Sequence, residues 1–146
     1  MRHAARISLG SLILVFASIG GARLDGDTSL EGTWVPVAAE LGGESFDSEV
    51  IGSSRLVIDG ENYTILVHGT PRDRGTLKLN AAVSPKQMDI TGIEGPNKGR
   101  TVAAIYERSG ERLRICYDMR GKPRPAEFRT TRGSQLMLVT YTRAKP

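Results

Sequence analysis

Leu30-Glu31-Gly32-Thr33-Trp34 opens the stretch that decides the fold of this chain. It holds the only tryptophan, two residues after a glycine, and apolar residues follow at every second position, Val35, Val37 and Ala39. This alternation is typical of a half-buried β-strand, here over 31–40. Burying an indole removes about 150–250 Å² from water. We therefore interpret Gly32 and Trp34 as a structural anchor, with Trp34 closing one end of a β-rich core.

Seven further stretches repeat the alternation and are separated by turn residues. They span 54–59, 63–67, 72–80, 87–91, 101–107, 111–118 and 135–143, and Asp59-Gly60 marks a tight hairpin turn between the first two. One helical turn is predicted over 46–51, capped by Asp47 or Ser48. Eight short strands without a long helical period predict an all-β fold, an antiparallel up-and-down barrel whose closure removes exposed edges. A two-sheet sandwich is the alternative.

The first 22 residues differ in composition from the rest. Arg2, His3 and Arg6 precede an uncharged apolar run over 7–19, and small residues follow at 20–22. This arrangement is typical of a secretory signal peptide and is short for a membrane span. We therefore expect a signal peptide at 1–22, a flexible lead-in at 23–29 and one domain at 30–146. The protein is expected in the periplasm or outside the cell, with retention as an uncleaved anchor as the alternative.

Composition argues against several classes of function. The formal charge of +4 falls to +2 when Arg2 and Arg6 are removed, and the remaining basic residues are interleaved with acidic ones. A nucleic-acid surface would instead show a clustered basic stripe. His68 would be the only histidine after cleavage, so a zinc site is not expected. The sequence contains no Gly-x-Ser-x-Gly motif. The segment 95–101 does not fit a phosphate loop, because Gly95 and Gly99 are too closely spaced. We expect no enzyme activity and no cofactor.

Cys116 is the only cysteine of the chain. A lone cysteine excludes an internal disulfide, so the core alone must stabilise the domain. Free cysteines are usually small buried hydrophobic groups. We expect Cys116 to be buried and inert, and the protein to be a monomer.

Six motifs occur in a characteristic order along the chain. They are Leu30–Trp34, Pro85–Ile90, Gly95–Thr101, Ile105–Glu107, Leu113–Cys116, and Gly121–Pro125 with Phe128. Together they resemble a lipocalin-like domain family of small secreted bacterial proteins, expanded in planctomycetes, over residues 30–143. The resemblance implies a lipocalin-like β-barrel and brings no activity, ligand or catalytic residue. In true lipocalins, which Gly32-x-Trp34 also resembles, an arginine of the last strand lies across the tryptophan, and Arg143 is the matching residue here.

Arg120, Lys122 and Arg124 lie close together in a loop with three neighbouring residues that stiffen or bend it, Gly121, Pro123 and Pro125. Arginine forks bind carboxylates and phosphates, so this loop is a candidate anion or partner site. The alternative is a solvated loop in which Arg124 and Phe128 pack locally on the barrel.

Two functions are favoured for an exported barrel of this kind, ahead of an enzyme as the third reading. One is the binding of a small apolar or amphipathic molecule inside the barrel. The other is an extracytoplasmic interaction module, inhibitor-like, that meets a cell-envelope protein and has a packed interior. A binding barrel would keep a cavity of roughly 300–1,000 Å³, whereas the large Leu, Ile, Met and Tyr side chains at inward positions favour a filled one.

Overall fold

One antiparallel sheet, closed on itself, forms the part of the chain that the structure describes. This computed structural model describes residues 29–145, so the expected signal peptide (1–22) and residues 23–28 of the lead-in lie outside the described residues. The elements are β1 (Gly32–Leu41), β2 (Glu44–Ser45), α1 (Ser48–Gly52), β3 (Ser54–Asp59), β4 (Asn62–Val67), β5 (Thr70–Asn80), β6 (Lys86–Glu94), β7 (Thr101–Ser109), β8 (Arg112–Asp118) and β9 (Leu136–Arg143).

Closure joins the first and last strands of the barrel. From β3 onward each strand pairs with the next, β1 pairs with β3, and β1 also pairs with β9 from Trp34 opposite Arg143 to Leu41 opposite Met137. The two-residue β2 only extends the end of β1. The predicted eight-stranded up-and-down barrel is therefore confirmed.

Of the eight predicted strands only β3 keeps its predicted limits; the others differ at one or both ends by one to three residues, and two of these differences have a clear cause. β5 begins at Thr70 and includes Pro71, because the register shifts at Pro71, which lies opposite Leu66. A proline lacks the N–H of a regular ladder and is tolerated at such an irregularity. β6 runs on to Glu94, so the following loop is shorter than the polar composition of 92–100 indicates. Asp47 occupies the N-cap of α1, but its side chain makes no capping hydrogen bond.

The core fills the barrel from the end at which β1 begins, here called the Trp34 end. Trp34, Leu113, Ile115 and Met88 are almost fully buried, and all of them lie on inward-facing positions. At the opposite end, the loop end, β1 and β3 separate. Their pairing stops at Trp34 opposite Leu56, and Ile51 of α1 packs against the core.

The long connection between β8 and β9 covers part of the outer wall. Arg124 donates hydrogen bonds to the carbonyl oxygens of Met88 and Ala104 at 3.1 and 2.9 Å, and Phe128 lies under the guanidinium of Arg114. Cys116, on the outer face of β8, is fully buried, with its Sγ 3.8 Å from the carbonyl oxygen of Arg129. The connection therefore shields a thiol that the barrel alone would expose.

Native labelling of Cys116 is expected to be slow. Burial raises the pKa of the Cys116 thiol, so less thiolate, the reactive form, is present at neutral pH. A maleimide added to the folded protein at pH 7 should react at least about tenfold more slowly than in denaturant, since it must wait for local opening. Equal rates would show that the connection does not cover the thiol.

Candidate functional site

A cavity of about 230 Å³ lies inside the barrel between the packed Trp34 end and the loop end. Most of the lining is apolar. The apolar residues are Pro36, Ala39, Ile51, Leu56, Ile58, Ile65, Leu77, Met88, Ile90, Val102, Ile115, Met119, Met137 and Val139. The polar residues are fewer, namely Ser54, Arg55, Tyr63, Asp73, Asn97, Tyr117 and Tyr141. An apolar chamber with a few polar groups is the usual form of a small-molecule site.

Asp73 is the centre of one polar group in this lining. Its Oδ2 accepts hydrogen bonds from the Tyr63 hydroxyl at 3.2 Å and from the Asn97 side-chain amide at 2.8 Å. Its Oδ1 is enclosed and receives no hydrogen bond from any residue of 29–145. Burial, and then the charge of Asp73, raise the pKa of Tyr63, so the Tyr63 hydroxyl stays protonated and donates. Only one of the two carboxylate oxygens therefore receives hydrogen bonds from the described residues.

Two features of the local sequence place these three side chains together. Gly75 is buried, and a Cβ there would overlap the Thr91 carbonyl oxygen of β6 and lie 2.7 Å from Tyr63 Cε1, so only glycine fits between the neighbouring strand and the tyrosine ring. Asn97 belongs to the loop between β6 and β7, which closes on itself through hydrogen bonds from Arg100 N–H to Asn97 O and from Lys98 N–H to Gly95 O. That closure holds Asn97 over the start of β5.

Tyr117 and Tyr141 form the second polar group. Their hydroxyl oxygens are 3.0 Å apart, so one donates to the other. Burial raises the pKa of Tyr141 to about 12 and raises that of Tyr117 well above its ordinary value. Both hydroxyls are therefore neutral at physiological pH. One of the two hydroxyl hydrogens forms the hydrogen bond within the pair, and the other can donate to a further group. The pair adds no charge to the cavity.

The residues expected to anchor the barrel meet at the Trp34 end. The Arg143 guanidinium carbon lies 4.7 Å from the centroid of the Trp34 ring, and Arg143 also donates to the Glu31 carbonyl at 2.9 Å. Arg108 lies over the same ring at 5.4 Å, a contact that sequence reasoning missed. A Cβ on Gly32, whose φ is +124°, would lie 2.8 Å from Arg143 Nη1. These contacts seal this end of the barrel and leave Trp34 outside the cavity lining.

The structure does not bring the three basic residues of the 119–135 connection into one site. Arg120 pairs with Asp118 at 2.8 Å, and Arg124 pairs with Asp89 at 2.6 Å. Asp118 is fully buried, and hydrogen bonding by Arg120 lowers its pKa. Lys122 is exposed. Because the two arginines bind different carboxylates, this arrangement favours the local packing of Arg124 over a shared anion site.

Asp73, Asn97 and the tyrosine pair were not singled out from the sequence. One signal was present, since Asp73 occupies the same face of its strand as Leu77, a charge among inward-facing positions. The loop residue Asn97 has no periodicity to place it. The described lining contains no histidine or cysteine. Within 29–145 no cluster of His, Cys, Asp and Glu is suited to a metal ion.

None of the helices in the described range is long and apolar enough to cross a membrane. Comparison of the chain with protein-family models, with curated proteins and with solved structures finds no match. The lipocalin-like family therefore stays a prediction based on the six sequence motifs. The barrel that the family implies is observed independently in the strand pairing.

Proposed function

We propose that this protein is a non-catalytic, exported barrel that binds a small apolar or amphipathic molecule in its interior. The observation that carries the proposal is the cavity of about 230 Å³ with its largely apolar lining. The expected signal peptide supports the export. The proposal favours ligand binding over the alternative of an interaction module with a packed interior.

The size of the cavity limits the ligand. An apolar cavity of about 150 Å³ in another protein binds benzene, so by proportion a cavity of this size suits a molecule of roughly nine or ten non-hydrogen atoms. It lies just below the usual range of about 300–1,000 Å³ for drug-sized ligands. A small aromatic or short-chain compound fits this space, whereas a long fatty acid or a porphyrin does not.

Two features of the wall support binding and exchange. Met88, Met119 and Met137 line the cavity, and methionine side chains adapt their shape to different apolar partners. Ser54 and Arg55 lie beyond the point at which β1 and β3 stop pairing, and both line the cavity. At this place few hydrogen bonds have to break to admit a molecule, since no β1–β3 ladder bridges the gap.

Filling the cavity is expected to abolish ligand binding without unfolding the barrel. Val139 is buried and lines the cavity, so Val139→Phe places extra ring atoms where a ligand would lie. The control is Val37→Phe, the same substitution at an outward position that is 53% exposed. Native mass spectrometry of each form, produced in the source organism, should detect a co-purified small molecule with the wild type and Val37→Phe and none with Val139→Phe.

The mass spectra also separate the two functions. A wild-type protein without additional mass, and without binding when small aromatic compounds are added, would contradict the proposal and favour the interaction module. Circular dichroism of Val139→Phe checks that the barrel is intact, so that loss of binding reports the filled cavity.

A further inference from the structure

We propose that the ligand carries a single cationic, hydrogen-bond-donating group, such as a primary ammonium on a small apolar body, and that this group binds to Asp73. This inference rests on the proposed function, because it names the chemistry of the molecule in the same cavity. The chemical class is a small aromatic or short aliphatic amine.

The charge of Asp73 is not balanced by the protein. Its hydrogen-bond partners, Tyr63 and Asn97, are neutral groups, and no lysine or arginine among residues 29–145 forms an ion pair with it. By contrast, the buried Asp118 and the half-buried Asp89 each form an ion pair with an arginine. An uncompensated carboxylate beside an apolar chamber favours a cation there, because burial in such surroundings weakens solvation of the charge.

The hydrogen-bonding capacity of Asp73 is also incomplete. A carboxylate accepts through both oxygens, and here Oδ2 has two donors while the enclosed Oδ1 has none within the described chain. Leaving a buried acceptor unsatisfied is costly. Asp73 lines the cavity and the terminal torsion of aspartate is broad. The proposed ammonium N–H would bind Oδ1 after rotation of the carboxylate, which also moves Oδ2 relative to Tyr63 and Asn97.

Arg55 is the charged residue that would favour the opposite ligand, an organic anion. Its Nη1 donates to the carbonyl oxygens of Gly52 and Ser54 at 2.7 and 2.6 Å, so backbone groups at the loop end hold it. The remaining polar lining consists of the neutral tyrosine pair and Ser54. Asp73 Oδ1 is the charged-group atom of the lining that is both enclosed and without a hydrogen-bond partner in 29–145, whereas no atom of Arg55 is in that position. A cation is therefore favoured over an anion.

The test compares three probes of nearly equal shape by calorimetry at pH 7, namely 2-phenylethylamine, 2-phenylethanol and phenylacetate. The amine is protonated at this pH, as lysine is. We expect it to bind about 10- to 100-fold more tightly than the alcohol, the range for a charged hydrogen bond. Asp73→Asn should remove this preference and change alcohol binding by less than about twofold, while Val139→Phe should abolish binding of both.

A second variant, Tyr63→Phe, tests the inference even if Asp73→Asn fails to fold. Tyr63→Phe keeps the carboxylate and removes one of its donors, so amine binding should be retained or strengthened. Equal binding of amine and alcohol, or tightest binding of phenylacetate, would overturn the cationic ligand and leave the binding barrel standing. Amine binding that survives Val139→Phe would place the contact on the surface and overturn it as well. Failure of all three probes to bind would overturn the inference, and together with the absence of co-purified mass it would overturn the proposed function as well.

Discussion

Replacing Trp34 with alanine is expected to lower the free energy of unfolding by about 3–5 kcal/mol, the usual cost of truncating a buried aromatic residue. The ring is fully buried, its Nε1 donates to the Leu30 carbonyl at 2.8 Å, and two guanidinium groups lie against its faces. Domain stabilities are typically about 5–15 kcal/mol. The variant should therefore be unfolded or close to unfolding, as measured by circular dichroism during urea titration.

Two milder variants separate the contributions at this end. Trp34→Phe keeps an aromatic ring and loses the indole hydrogen bond, so it should be more stable than Trp34→Ala. Arg143→Ala removes one stacked cation and should cost only about 0.5–2 kcal/mol. Wild-type stability in Trp34→Ala, together with loss of a bound molecule, would show that Trp34 belongs to the binding site and not to the structural seal.

Substituting Gly75 with alanine is expected to be the second most damaging change. The added methyl group would collide with the Thr91 carbonyl of the neighbouring strand and with the Tyr63 ring. Overpacking a core costs about 1–3 kcal/mol, and the upper part of that range applies because a ladder carbonyl cannot rotate away. The displaced tyrosine should also lose its hydrogen bond to Asp73. Urea midpoints followed through Trp34 fluorescence measure the effect.

Gly52→Ala is the matched control for this substitution. Gly52 is exposed at the end of α1, and a Cβ there meets no atom within 4 Å. Alanine has a higher helix propensity than glycine, so this variant should be neutral or slightly more stable. If both alanine variants unfolded at the wild-type urea midpoint, the close approach of Tyr63 to Gly75 would not constrain the barrel.

The sequence predicted the barrel because strand position and side-chain direction are both local properties. Leu113 and Ile115 alternate with Arg112 and Arg114. The structure places the two aliphatic side chains inside the barrel and the two arginines outside. The contact between Arg143 and Trp34 was also predictable, since closing eight strands makes the last one a neighbour of the first. The sequence predicts the start of β5 at residue 72 instead of Thr70, because the register shift that tolerates Pro71 depends on the partner strand.

The candidate site was less predictable because it depends on contacts between distant parts of the chain. Asp73 and Asn97 are 24 positions apart and meet only after the β6–β7 loop has folded back. Arg124 reaches Asp89 from 35 positions away, and nothing in its own loop shows that destination. Sequence patterns predict the volume of a cavity even less well than they predict these contacts. This volume is the small difference between the space the barrel encloses and the volume of the large side chains that fill it.

The pairing of β1 with β9 also sets the time at which the domain is able to fold during synthesis. Trp34 is made early, but its strand partner and one of its covering guanidinium groups belong to Arg143, more than a hundred positions later. Such non-local pairing folds slowly. Until β9 emerges, the nascent chain carries an unpaired β1 edge, a surface on which chains associate. If the protein is exported unfolded, as the proposed function requires, this delay would have no cost, since the barrel would close only after the whole domain had crossed the membrane.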